Sequence, residues 1–176
     1  MLPNFQEIAK GIGIDLDSYE KLLADTIGAD SSNFKYLIDK IFATKGKRIR
    51  PMLVYLSAKI FGKANIHTDR AALIVEILHN ATLIHDDIVD ESELRRGQAS
   101  VNGSYDNKVA VLVGDFILAC ALKCACATSD VRLVEVVSDA AQRLADGELL
   151  QLRSVYNQEI SEDIYIKIIK DKTAAK

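Results

Sequence analysis

The sequence predicts an all-α protein, a bundle of antiparallel helices joined by mostly short loops. Apolar residues recur at intervals of three and four, and no segment alternates convincingly between apolar and polar residues. Only 2 prolines and 9 glycines occur among the 176 residues, which leaves few breaks for a turn-rich β protein. The length predicts a single domain, to which we assign residues 1–176.

Polar residues that can cap a helix precede most of the predicted helices. In chain order, the expected caps are Asp17 or Ser18, Ser31 or Ser32, Thr68, Asp130 and Ser161. The helix after the polar loop 44–50 has no such cap. There Pro51 fits the first turn and Gly62 fits the end. The helix that Thr68 opens is long and extends to about Val89.

Between the long helix and the helix that Asp130 opens, a polar segment is followed by an apolar one. Residues 91–107 are polar and contain two glycines, which predicts a loop. An apolar helix is predicted over about 108–127. Asp115 and Lys123 interrupt its apolar sequence, so we expect a buried core helix and no transmembrane segment. Its three cysteines are expected to be small buried thiols, with a metal site as the less favoured alternative.

Composition limits the classes of function. The formal charge is −3, from 22 Lys and Arg against 25 Asp and Glu, and without a basic block this argues against nucleic-acid binding. Hydrophobic residues at 49% and charged residues at 27% are typical of a globular protein and argue against disorder. The first residues lack a basic segment followed by an apolar one, so we expect a cytoplasmic protein with reduced cysteines.

Three carboxylates lie at the end of the long helix. Asp86 and Asp90 are four residues apart and share one helix face, with Asp87 next to them. Like charges at the negative end of the helix dipole repel each other unless a cation lies between them. Oxygen ligands without Cys or His suit Mg²⁺. A solvated acidic helix end is the alternative.

Two cationic segments accompany these carboxylates. Arg95 and Arg96 follow Asp90 closely, and adjacent guanidinium groups suit phosphate oxygens. Lys47 and Arg50 lie in the loop before the third helix. Each segment alone is as well explained by surface ion pairs or a solvated linker, but together with the acidic cluster they suit two diphosphate groups.

His79 lies two helical turns before Asp86 and on the same face. A helical histidine is commonly a core residue, but this one is aligned with the acidic cluster. Glu76 and His79 also match the Glu-x-x-His pattern of di-iron bundles. Such sites need a second copy from another helix, and the sequence contains none.

The sequence resembles the trans-isoprenyl diphosphate synthases of the medium- and long-chain polyprenyl type. The matching strings are GKRIRP (46–51), EILH (76–79), LIHDDIVD (83–90), LRRG (94–97), VGDF (113–116), GELLQL (147–152) and KTA (172–174). The resemblance implies the isoprenoid synthase fold. It also implies Mg²⁺-dependent head-to-tail condensation of isopentenyl diphosphate with farnesyl or geranylgeranyl diphosphate, to give an octaprenyl-like all-trans product, the side chain of a quinone.

The resemblance also implies a role for each matching polar residue. Those expected to bind Mg²⁺, and through it the allylic diphosphate, are Asp86, Asp87 and Asp90. Direct contacts to the allylic diphosphate are expected from Arg95, Gln151, Lys172 and Thr173. Contacts to isopentenyl diphosphate are expected from Lys47, Arg50, His79 and Arg96. The residues expected to be catalytic are Asp86, Asp87, Asp90, Arg95 and Lys172.

Product length has its own candidates in Ala81 and Thr82, which lie about 6–7 Å before Asp86 along the helix. Because Ala81 is small, the sequence predicts an open path for the growing tail and a product of at least geranylgeranyl size. The alternative is that Ala81 only lets two helices pack closely.

The family carries a second Asp-rich segment and further helices that have no counterpart before Lys176. We therefore expect the C-terminal helices of the fold to be missing and the 176-residue chain alone to be inactive or very weakly active. Self-association as a homodimer is expected by resemblance. A non-catalytic diphosphate-binding subunit or partner, and a purely structural bundle, are the alternative functions.

Overall fold

A computed structural model describes residues 5–28, 34–43, 46–95, 97–159 and 161–173. Within those ranges the chain is almost entirely helical, as the sequence predicts. The α-helices are α1 (Phe5–Gly11), α2 (Leu16–Gly28), α3 (Lys35–Ala43), α4 (Ile49–Phe61), α5 (Ile66–Val89), α6 (Val101–Ser104), α7 (Asn107–Cys126), α8 (Val131–Asn157) and α9 (Glu162–Ile168). A two-stranded hairpin, β1 (Leu94–Arg95) and β2 (Gln98–Ala99), and a π-helix (Ile169–Thr173) complete the elements.

The chain divides into two compact units, Met1–Thr128 and Ser129–Lys176. Unit 1 is organised around α5, which packs along α7 and against α4. Ile74 and Ile77 of α5 and Ile117 of α7 are fully buried. Burying such side chains contributes about 1.5–3 kcal/mol each, so this helix pair is the main core of the unit and fixes the direction of α5.

The apolar helix α7 is confirmed as a helix, and seven of its residues are buried. Among the described residues it is the one helix long and apolar enough to cross a membrane by length and composition, with 39% of its most apolar segment buried. Its packing along α5 is that of a core helix. Cys120 is buried as expected, but Cys126 is exposed, so the prediction of buried thiols is wrong for that residue.

Helix ends are where the sequence prediction is partly wrong. Helix α2 is opened by Asp15, whose Oδ1 accepts hydrogen bonds from the backbone N–H groups of Asp17 and Ser18. Those bonds lower the pKa of Asp15. Helix α5 is capped by Asn65, and Thr68 is the third residue of a reciprocal capping box. The predicted caps Ser31 and Ser32 lie outside the described residues.

Other predicted boundaries are confirmed. Pro51 lies in the first turn of α4 and Gly62 at its end. Asp130 caps α8, and Ser161 caps α9. The polar region 91–107 is not a plain loop, because it contains the hairpin and α6. Strands of two residues are too short to produce a detectable alternation.

Unit 2 is a helical hairpin in which the π-helix packs along α8. Gly147 of α8 makes this approach possible, since a Cβ there would lie 2.8 Å from the backbone nitrogen of Lys172. Arg143 holds the same segment by an ion pair with Asp171 at 3.1 Å. The unit therefore places the backbone of Lys172 against one face of α8.

Candidate functional site

The acidic end of α5 contains one buried and two more accessible carboxylates. Asp87 is only 4% exposed, and both of its carboxylate oxygens accept hydrogen bonds from Arg95 Nε, at 2.8 and 2.7 Å. Arg95 Nη2 donates a further bond to Asp87. Asp87 is therefore committed to Arg95, and its predicted role as a Mg²⁺ ligand stays a prediction.

Asp86 is half-buried, and Asp90 is exposed at the C-terminal cap of α5. Their charges and that of Asp87 act on Arg95: the hydrogen bonds from Asp87 raise the pKa of this guanidinium, and Asp86 and Asp90 raise it further. Asp86 and Asp90 suit a Mg²⁺ ion that also takes oxygens from a substrate, because Mg²⁺ commonly uses one or two protein carboxylates. Among the described residues, no group of three or more His, Cys, Asp or Glu side chains is close enough to hold a metal alone.

The hairpin after α5 places Arg95 against Asp87. Ser100 ties the hairpin to the end of α5, with its Oγ donating to the Ser92 carbonyl oxygen at 2.7 Å. Asn102 Nδ2 donates to the Asp87 carbonyl oxygen at 3.3 Å. Gly103 packs on the Glu93 backbone so closely that no Cβ would fit. Arg96, the second predicted arginine, lies outside the described residues.

The cationic segment at the start of α4 presents its residues unequally, and Arg50, predicted in the loop, lies in the first turn of the helix because α4 begins at Ile49. Lys47 is exposed, Arg50 is half-buried, and Arg48 between them is buried. Arg48 donates hydrogen bonds to Glu20 and Glu76. Burial lowers the pKa of Arg48, but these bonds outweigh it and raise the pKa above the ordinary value. Sequence reasoning did not assign Arg48 or Glu20, because a polar string does not show that Arg48 is buried or that Glu20 contacts it.

Unit 2 holds the remaining predicted contacts. Lys172 Nζ lies 2.6 Å from Glu148 Oε2 and donates to Gln151 Oε1 at 3.1 Å. The Lys172–Glu148 contact is an ion pair of poor hydrogen-bond geometry, since neither buried Glu148 oxygen accepts a hydrogen bond within the described residues. Thr173 ends the π-helix. The roles of these residues toward an allylic diphosphate stay predictions.

The candidate chain-length residues lie one turn before the acidic cluster. Ala81 is 1% exposed, and Thr82 is half-buried with its Oγ1 donating to the His79 carbonyl oxygen at 2.9 Å. The cavity of unit 1 that reaches Asp87 and Arg95 is lined by neither residue. This burial fits the alternative of close helix packing, and the tail path stays a prediction.

Comparison with known proteins shows the family to which this helical chain belongs. Residues 31–176 match the sequence profile of the polyprenyl synthetase family. The chain is 38% identical over 172 residues to octaprenyl diphosphate synthase of Escherichia coli K12, a match that covers 97% of this chain and 53% of that protein. The chain belongs to the polyprenyl synthetase family.

Solved structures show the same fold. A decaprenyl diphosphate synthase from Rhodobacter capsulatus superposes with a TM-score of 0.88 at 34% identity, covering 97% of this chain and 53% of that one. A polyprenyl synthase from Caulobacter crescentus CB15, in complex with calcium and isoprenyl diphosphate, gives 0.87 at 33% identity, with 97% and 51% covered. The chain spans about half the length of these relatives.

Proposed function

We propose that the chain supplies the allylic and isopentenyl diphosphate sites of a synthase that carries out Mg²⁺-dependent head-to-tail condensation of isopentenyl diphosphate with farnesyl or geranylgeranyl diphosphate to give an octaprenyl-like product. The 176-residue chain alone is expected to be inactive or very weakly active. The observation that carries this proposal is the end of α5, where Asp87 holds the Arg95 guanidinium by hydrogen bonds and the charges of Asp86 and Asp90 also act on that guanidinium. Two carboxylates that suit a divalent cation, next to a fixed guanidinium, match the charge pattern of a diphosphate. Membership of the polyprenyl synthetase family supports the same chemistry.

Asp86 and Asp90 would hold the metal in this proposal, and bound Mg²⁺ would supply charge neutralisation to the allylic diphosphate. Arg95 binds oxygens of the same group. Negative charge grows on the diphosphate as the allylic C1–O bond breaks. The contact with Arg95 therefore strengthens toward the transition state, which is what accelerates ionisation.

Lys47, Arg50, His79 and Arg96 orient isopentenyl diphosphate. Its double bond attacks C1 of the allylic cation and forms the new C–C bond. The tertiary cation that results loses a proton to the departing diphosphate and becomes the new allylic product. The apolar interior between α5 and α7 would keep water from the cation.

Binding separates this function from its alternatives. Titration calorimetry with farnesyl thiodiphosphate, which ionises poorly, is expected to show binding that requires Mg²⁺ and is lost on chelation. Asp86→Asn and Asp90→Asn are expected to weaken it by about 100-fold, as loss of metal-supporting groups commonly does. The matched control is Asp39→Asn, an exposed carboxylate on α3.

Incorporation of labelled isopentenyl diphosphate into extractable lipid then tests turnover. Extension beyond the primer would show that these 176 residues suffice for the reaction and would contradict the expected inactivity, whereas Mg²⁺-dependent binding without extension fits both that expectation and the alternative of a diphosphate-binding subunit. Binding that does not depend on Mg²⁺ and is unchanged in both Asp variants would support the alternative of a purely structural bundle.

Product length is tested at Ala81. In protein that extends the primer, Ala81→Phe is expected to shorten the product, because an aromatic ring would block the tail, while Ala81→Gly is expected to leave the length unchanged. Circular dichroism identifies the folded protein in each case. A folded Ala81→Phe protein with an unchanged product distribution supports helix packing as the only role of this alanine.

A further inference from the structure

Arg48 lies between two cations of the proposed isopentenyl diphosphate site but does not share their exposure. Its residue exposure is 6%, whereas Lys47 is exposed and Arg50 half-buried. An arginine this buried, between cations that are more accessible, is not open to a ligand from solvent. Its side chain therefore binds groups of the protein itself.

Two helices supply the partners of this guanidinium. Arg48 Nε and Nη2 donate to the two carboxylate oxygens of Glu20 on α2, at 2.5 and 2.9 Å. Arg48 Nη1 donates to Glu76 Oε1 on α5 at 2.6 Å. Paired, charge-assisted bonds of this kind fix the plane of the guanidinium as well as its position.

The backbone at Arg48 is fixed as well. Its φ of 52° and ψ of 35° lie in the left-handed region, which is unfavourable for a residue with a Cβ. Such a conformation persists when surrounding contacts determine it. The Arg48 carbonyl oxygen accepts from Met52 N–H at 3.1 Å, which joins the residue to the first turn of α4.

Glu76 connects the start of α4 to the rest of the proposed subsite. It is 7% exposed and lies one helical turn before His79. Asn80 Nδ2 donates to its carbonyl oxygen at 2.7 Å. The Arg48–Glu76 bond therefore joins the start of α4, with Lys47 just before the helix and Arg50 in its first turn, to the turn of α5 that carries His79.

We propose that Arg48 is a positioning residue for the isopentenyl diphosphate subsite, and that Glu20 and Glu76 anchor it there. The three residues hold the start of α4 on α5 so that Lys47 and Arg50 face the same diphosphate as His79. This inference rests on the proposed function. A merely structural ion pair would instead change stability and leave ligand affinity in the folded protein unchanged.

The test compares two ligands on the folded 176-residue protein. Isopentenyl diphosphate and, with Mg²⁺, farnesyl thiodiphosphate are titrated into the parent and into Glu20→Gln and Arg48→Lys. We expect isopentenyl diphosphate affinity to fall by about tenfold or more, as small displacements of positioning groups do. Farnesyl thiodiphosphate affinity is expected to change by less than about twofold, because this anchor does not contact the acidic end of α5.

Two further variants sharpen the result. Arg48→Gly accepts the positive φ without cost but lacks the anchor, so we expect it to lose isopentenyl diphosphate affinity even where circular dichroism shows a folded protein. Asp25→Asn, an exposed carboxylate on the same helix as Glu20, is the matched control and should leave both affinities unchanged.

Lys47→Ala separates failure of this inference from failure of the proposed function. If Lys47→Ala weakens isopentenyl diphosphate binding but folded Glu20→Gln and Arg48→Lys do not, the positioning role is overturned and the subsite stands. If Lys47→Ala has no effect, the subsite assignment fails and the positioning role fails with it. An equal loss of both ligands in Glu20→Gln assigns the anchor to general folding and also overturns the inference.

Discussion

Arg95 in unit 1 and Lys172 in unit 2 each lie against a carboxylate, but the two contacts are built differently. Arg95 makes three hydrogen bonds to the buried Asp87. Lys172 makes a close ion pair with Glu148 and one hydrogen bond to Gln151. A planar guanidinium held by two oxygens is fixed in direction, whereas an ammonium group is a point charge on a flexible stem. Arg95 is therefore a cation held in one orientation, whereas Lys172 is a cation whose orientation a ligand could change.

Removing the fixed cation is expected to have the largest effect. Arg95→Met leaves the Asp87 carboxylate buried without its partner. We expect the free energy of unfolding of the protein to fall by about 2–4 kcal/mol, toward the lower end because Arg95 itself is 35% exposed. Urea unfolding followed by circular dichroism measures it.

The double variant Asp87→Asn with Arg95→Met is its control, because it removes the stranded charge along with the partner. It is expected to be more stable than Arg95→Met alone. Equal stability of the two would mean that the Asp87–Arg95 pair does not fix this end of α5.

The platform under Lys172 is tested at Gly147. Gly147→Ala would bring a Cβ within 2.8 Å of the Lys172 backbone nitrogen, and we expect a loss of about 1–3 kcal/mol in the free energy of unfolding, as for other overpacked contacts. Gly11→Ala, where nothing lies within 4 Å of the new Cβ, is the matched control and should be neutral or stabilising. A neutral Gly147→Ala would show that α8 and the π-helix are not held in close contact.

Exchanging the two cation types tests the comparison directly. Arg95→Lys removes the paired geometry and is expected to cost about 1–2 kcal/mol of unfolding free energy. Lys172→Arg keeps the charge at a site that does not use the paired hydrogen bonds of a guanidinium, so we expect the free energy of unfolding to change by about 0.5 kcal/mol or less. Similar losses in both variants, measured by urea unfolding, would contradict the distinction between a fixed and a movable cation.

Glu148→Gln is also expected to have a small effect. The ion pair with Lys172 lacks good hydrogen-bond geometry, so its loss should change the free energy of unfolding by about 1 kcal/mol or less. Gln151→Ala is the companion variant, because it removes the one hydrogen bond of Lys172 and leaves the ion pair. A loss from Glu148→Gln as large as that from Arg95→Met would show that Lys172 is as fixed as Arg95.

The sequence predicted the long helices well and their ends less well. The apolar rows of α5 and α7 extend over many turns, so their period is unmistakable. At the start of α5, however, Asn65 and Thr68 are both good caps, and only the backbone shows that Asn65 takes the position. The hairpin was missed because neither of its strands exceeds two residues.

The candidate site shows the same division. The strings that contain Lys47, Arg50, Asp86 and Asp90 were found from residue type and spacing. The sequence could not show that Arg48 is buried, because Lys47, Arg48 and Arg50 are all cations and their burial depends on residues that are distant in the sequence. Glu20 could not be found at all, since it lies 28 residues from Arg48.

The sequence by itself determined the all-α class, the family resemblance and the residue types that suit diphosphate and Mg²⁺, because these depend on local spacing along one helix or loop. Only the tertiary structure decided which charges pair inside the protein. Asp87 pairs with Arg95, Arg48 with Glu20 and Glu76, and Lys172 with Glu148. The physical reason is that pairing depends on burial and on distance through space, and both are set by how separate helices pack.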